Sequence, residues 1–143
     1  MQDSLFKQYK EIFQEEIEIQ NEKSGISKYA YSPFAIQDAV GERSVKKVWI
    51  EYIKLRLSGI EAEDLIHKII SKVKDMVAIN QGATKEDLGI KDYPFSKSKK
   101  DLKNWKTEDL KNFYGVLVEI YHRSRMESGN ELDVALEKLL LSI

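Results

Sequence analysis

Apolar positions recur at three- and four-residue intervals along nearly the whole chain, in runs separated by glycine, proline or small polar residues, a pattern that predicts a series of amphipathic helices. The first stripe is Leu5, Phe6, Tyr9, Ile12, Phe13 and Ile17, on an otherwise acidic helix. Asn21, Ser24, Gly25 and Ser27 then read as a linker. Pro33 suits the first turn of a short helix capped by Ser32 and ending at Gly41. Ser44 is placed to cap the next helix, with Val48, Trp49, Tyr52, Ile53 and Leu55 facing inward and Gly59 as its stop.

A long helix is expected from Glu61 to about Asn80. Acidic Glu61, Glu63 and Asp64 lie in its first turn, where the helix dipole favours them. Its stripe of Leu65, Ile66, Ile69, Ile70, Val73, Met76 and Val77 is broad, which predicts burial between several neighbours. A loop with a brief helical turn after Thr84 leads to Pro94, which is expected to start a short helix ending near Trp105. Thr107 is the expected cap of a helix carrying Leu110, Phe113, Tyr114, Leu117, Val118 and Tyr121. Gly129 ends it, and Asn130 caps a last helix bearing Leu132, Ala135, Leu136, Leu139, Leu140 and Ile143.

Six of the seven glycines thus fall at element ends. The exception, Gly115, lies mid-helix at a cost of about 1 kcal/mol relative to alanine, for which a close helix crossing is the expected compensation. No alternating period-two run or Asn-Gly hairpin signal appears. The expected fold class is all-α: a single helical bundle of six to seven helices over residues 31–143, preceded by an amphipathic helix and linker over residues 1–30.

Composition narrows the function. A chain of 143 residues buries roughly 70% of its extended surface, enough for one core. A formal net charge of −1 with 33% charged residues is ordinary for a globular protein and names no partner. No cysteine is present, which excludes disulfides and thiolate zinc sites, and His67 and His122 cannot build a metal cage alone. No apolar run reaches the ~18 residues of a membrane span, and no basic signal-peptide start is seen, so a cytoplasmic protein is expected.

The chain holds no Gly-rich phosphate loop, no Gly-x-Ser-x-Gly elbow and no His-Glu-x-x-His motif. Neither a catalytic role nor a cofactor or small-molecule substrate is expected. His122, between Tyr121 and Arg123, reads as a polar rim near a helix C-terminus, where the dipole favours cations. The strongest local charge signal is residues 91–106, with six lysines against two aspartates and a balance of +4. Lys97, Lys99, Lys100, Lys103 and Lys106 are candidate nucleic-acid contacts, with Lys99, Lys103 and Lys106 on one helical face. A solvated lysine face is the competing reading, since no arginine fork accompanies them. Residues 1–22 carry the opposite balance, six acidic groups against Lys7 and Lys10.

Several punctuating residues form an ordered set. Phe34 precedes Gly41, Gly59 closes the following helix, and Pro94 with Phe95 opens the middle short helix. Gly129 is followed by Ala135, Leu136 and Glu137 and then by Leu139, Leu140 and Leu141. In order and spacing, residues 31–143 resemble the C-terminal helical domain of the delta subunit of bacterial DNA polymerase III, part of the sliding-clamp loader. Two departures stand out. Glu127 occupies the position two before the last glycine where the family usually has a basic residue, with Arg125 nearest. The family's amino-terminal ATPase-like modules have no counterpart, so residues 1–30 are expected to be the remainder of a preceding region and Met1 a fragment start.

The resemblance implies a wedge of the collar, the ring of helical domains that joins clamp-loader subunits. The implied partners are subunits of the gamma/tau and delta-prime type, with DNA met mainly through the assembled complex and ATP hydrolysed elsewhere in it. The alternative is a free-standing helical adaptor that touches nucleic acid through residues 91–106. The exposed side of the last two helices is the expected subunit contact.

Overall fold

The structure, a computed structural model, describes Ser32, residues 34–126 and residues 132–143. Those residues form seven α-helices and one 3-10 turn, with no strand among them, and the all-α expectation holds. The helices are α1 (Ala35–Gly41), α2 (Val45–Leu57), α3 (Ala62–Asn80), α4 (Lys85–Leu88), α5 (Asp92–Asp101), α6 (Thr107–Met126) and α7 (Leu132–Leu141), the 3-10 turn being Leu102–Asn104. The expectations placed on residues 1–30, Tyr31, Pro33, Glu127, Gly129 and Asn130 fall outside the described residues.

α3 is the axis of the bundle and packs against α1, α5, α6 and α7. Its broad stripe is the reason: Leu65, Ile66, Ile69, Val73 and Met76 are fully buried, while Ile70 and Val77 close the edges half-buried. Buried side chains of α1, α2, α3, α6 and α7 join in one core, where each fully covered Leu or Ile contributes about 1.5–3 kcal/mol of transfer free energy. Trp49 stacks on Tyr52 with ring centroids 5.4 Å apart, and Trp105 packs on Phe113 at 5.1 Å.

Helix ends follow the sequence where a side chain does the capping. Ser44 Oγ accepts from Lys47 N at 3.3 Å, and Thr84 and Asp87 form a reciprocal capping box at the start of α4. Gly59, at φ 91°, lets Ile60 N reach back to Leu55 O at 3.0 Å and closes α2.

Four local expectations are corrected. α1 starts at Ala35 with Phe34 as its N-cap, and Ser32 contributes only its carbonyl, which accepts from Ala35 N. α5 starts at Asp92, so Pro94 is its third residue, still inside the first turn where an N–H has no intrahelical partner. Lys106 O accepts from Leu110 N, making Thr107 the first helical residue, and the Thr107 hydroxyl instead accepts from Asn80 Nδ2 at 3.1 Å. Gly115 is exposed, and among the described residues nothing lies within 4 Å of where its Cβ would stand, so no close crossing compensates it.

Candidate functional site

Two buried polar joints hold the helices that carry the candidate residues. At the first, Lys72 of α3 reaches Asp101 at the end of α5, Nζ to Oδ2 at 2.9 Å, and also donates to Ser98 Oγ at 3.1 Å. All three side chains are buried. A buried pair gains net stability only when its remaining hydrogen-bonding capacity is satisfied, and here Lys97 Nζ donates to the other carboxylate oxygen, Asp101 Oδ1, at 3.1 Å. Partial burial disfavours the Lys97 ammonium, but the hydrogen bond and charge of Asp101, with Asp38 and Glu42 behind it, outweigh this and hold its pKa above the ordinary lysine value.

α1 closes over this pair without a side chain in the way. A Cβ on Gly41 would stand 2.1 Å from Asp101 Oδ2 and 2.7 Å from its Cγ. The glycine ends α1 as expected, yet its need is close approach. The left-handed residue that turns the chain is Arg43, at φ 56°. Just beyond α5, Asn104 Nδ2 donates to Gly41 O at 3.1 Å and Trp105 Nε1 to Val40 O at 3.0 Å. Arg43 lies over the Trp105 ring, 4.5 Å from its centroid, and pairs with Asp109 at 3.1 Å.

The second joint ties α2 to α7. Glu137 is fully buried, and its Oε1 accepts from Tyr52 Oη at 3.0 Å. Burial, and after it the Glu137 carboxylate, push the Tyr52 hydroxyl far above the usual phenol range, with Arg56 opposing. Arg56 Nη2 meets Asp133 Oδ2 at 2.9 Å, and Nη1 donates to Ile60 O at 3.2 Å. Leu136 beside Glu137 is also fully buried.

The residues marked by the resemblance therefore have unequal roles. Gly41, Leu136 and Glu137 lie inside the joints and core, Phe95 is half-buried, and Gly59 and Pro94 are exposed at helix ends. Phe34 is 64% exposed. Lys72 and Tyr52 as polar partners were missed by sequence reasoning. A signal for Lys72 was present, because it falls three residues after Ile69 and four before Met76, on the apolar stripe of α3.

The lysine segment divides in two. Lys97 is half-buried and turns onto Asp101, so its ammonium is already engaged within the fold. Lys99, Lys100, Lys103 and Lys106 are exposed and have no hydrogen bond or ion pair among the described residues. Elsewhere, His67 is exposed and meets the Tyr121 ring edge-on at 4.6 Å, and His122 is exposed. Among the described residues, no three His, Cys, Asp or Glu side chains cluster as a metal site would require, and no helix is long and apolar enough to cross a membrane. A shallow groove of about 240 Å³ runs between Trp105, Phe113 and Ile143, and its strongest polar groups, Arg43 and Asp109, already satisfy each other. Exposed apolar side chains on the last two helices are Val116, Val118 and Met126 of α6 and Leu141 of α7.

No protein-family model matches this chain, and no curated protein or solved structure matches it either.

Proposed function

We propose that this chain is an assembly domain of a clamp-loader collar, of the delta type, which joins subunits and makes or breaks no covalent bond. The observation that carries the reading is the position of Gly41 and Glu137. Both belong to the ordered motif, and both are closely confined by the fold: a Cβ on Gly41 would stand 2.1 Å from the Asp101 carboxylate, and Glu137 is fully buried on Tyr52. Motif residues that set joints between helices are what a shared scaffold requires.

Association then falls to the outer sides of α6 and α7. Val116, Val118, Met126 and Leu141 present apolar surface there, and a stable interface needs roughly 1,200–2,000 Å² in total, more than these four supply alone. Glu119 and Arg123, exposed on α6 between the directions of Val116 and Val118 and paired with each other, supply the polar part of such an interface.

The test is to mix the chain with cognate gamma/tau- and delta-prime-type subunits and follow the mixture by size-exclusion chromatography. Co-elution in one complex is expected, and Val116→Asp with Val118→Asp should move the chain out of it while leaving its helical circular dichroism intact. Absence of the wild-type chain from the complex would refute the assignment.

A further inference from the structure

We infer that the outer face of α5 and the turn after it, carrying Lys99, Lys100, Lys103 and Lys106, is a contact surface for the phosphate backbone of nucleic acid. This goes beyond the collar reading and does not depend on it.

The inference starts from where each charge of residues 91–106 is spent. Asp101 is buried and neutralised by Lys72 and Lys97, and Asp92 pairs with Lys85. With both carboxylates of the segment engaged, the four outward lysines stand unopposed within it. Spacings of three and four residues bring Lys99, Lys100 and Lys103 into one turn of the chain, and Lys106 follows after the bend at Trp105. Glu108, exposed two residues beyond Lys106, is the nearest opposing carboxylate in sequence, and Lys111 offsets it three residues further along α6.

Rigidity supplies the second argument. Ser98 and Asp101 anchor the inner side of α5 to Lys72, Gly41 admits the carboxylate, and Asn104 and Trp105 bond to the end of α1. The outer side is thereby held in one orientation, so the backbone loses little further freedom on binding. Four lysines with no arginine fork suit point-charge contact with phosphates and carry no base readout, so binding is independent of sequence.

The experiment is a fluorescence anisotropy titration of the whole chain against labelled single-stranded and duplex oligonucleotides at several salt concentrations. If all four lysines meet phosphates, log K falls against log salt with a slope of about −3.6 for duplex and about −2.8 for single strands, or roughly 150-fold for duplex between 50 and 200 mM salt. The combined variant Lys99→Gln, Lys100→Gln, Lys103→Gln, Lys106→Gln should lose most of the binding and flatten the slope. The matching set of Lys→Arg changes should keep both. Lys46→Gln with Lys138→Gln, exposed on α2 and α7, should change neither. Three results overturn the inference: no binding by the wild-type chain at about 50 mM salt, an unchanged slope in the Gln variant with its helical signal retained, or competition by polyglutamate equal to that by oligonucleotide, which would make the face a general polyanion surface.

Discussion

Replacing Gly41 by alanine tests the tightest contact in the fold. In an ordinary helix the change gains up to about 1 kcal/mol, and less at the final residue of a helix, where Gly41 sits. Here the new methyl would meet Asp101 Oδ2 at 2.1 Å, Cγ at 2.7 Å and Cβ at 3.1 Å. Asp101 cannot step aside cheaply, because Lys72 and Lys97 hold its two oxygens and its side chain is 3% exposed. Overpacking of this kind costs about 1–3 kcal/mol, and partial separation of a buried ion pair adds to it, so a net loss of about 2–4 kcal/mol is expected.

Urea unfolding followed by circular dichroism measures that loss, which corresponds to a midpoint lower by about 1–2 M. Gly115→Ala is the internal contrast: exposed, mid-helix and without a described neighbour within 4 Å, it should gain up to about 1 kcal/mol. The decisive arm is a double-mutant cycle. In an Asp101→Ala background the two closest atoms are gone, and Gly41→Ala should then cost less than about 1 kcal/mol. A neutral or stabilising Gly41→Ala in the wild-type background, or strictly additive costs in the cycle, would refute the reasoning.

The remaining predictions concern titration. Tyr52 has a folded pKa above its unfolded value, so its contribution to stability is present below the unfolded phenol pKa and is lost as pH rises above it. In an alkaline titration followed by tyrosinate absorbance, one of the seven tyrosines should ionise only as helical signal is lost, and Tyr52→Phe should remove that late step; ionisation of all seven before any helix loss would count against the buried Tyr52 to Glu137 bond. Asp75 is also raised, by burial against the opposing pull of Lys74 and Lys72, so the folded state binds its proton more tightly and loses stability as pH rises through the folded value. Asp75→Asn should therefore raise the melting temperature at neutral pH, with the gain shrinking as the pH falls toward the ordinary carboxylate range; an unchanged or lower melting temperature at neutral pH would contradict this.

Helix order and the central role of α3 were legible because apolar period and stripe width are properties of the sequence itself. Ser44 was legible as a cap because its side chain does the work, whereas Ser32 and Thr107 misled because carbonyl groups of other kinds supply those starts. Pro94 shifted by two residues for a related reason, since proline fits anywhere in a first turn whose N–H groups lack partners. The joints were hidden by distance along the chain. Tyr52 and Glu137 are 85 residues apart, and Lys72 and Asp101 are 29 apart, so no local spacing pairs them. Only the resemblance singled out Glu137, and only the stripe position of Lys72 hinted that its ammonium needs a buried carboxylate.

The joints also explain how a motif can be informative about fold and silent about contact. A residue buried between two helices of its own chain, as Glu137 is between α2 and α7, is constrained by those helices whichever partner binds outside. Gly41 is constrained in the same way by Asp101. Such positions specify the helical bundle, and any surface that meets another molecule must be composed of side chains the bundle leaves free. On α6 they include Val116, Val118 and Met126 among polar neighbours, and on α5 and just beyond it they include four lysines, two chemistries with different dependence on salt: burying Val116 and Val118 would be insensitive to moderate ionic strength, while lysine contacts are screened over a Debye length of about 8–10 Å. The proposed subunit assembly and the inferred phosphate contact are therefore separable by salt alone, before any residue is changed.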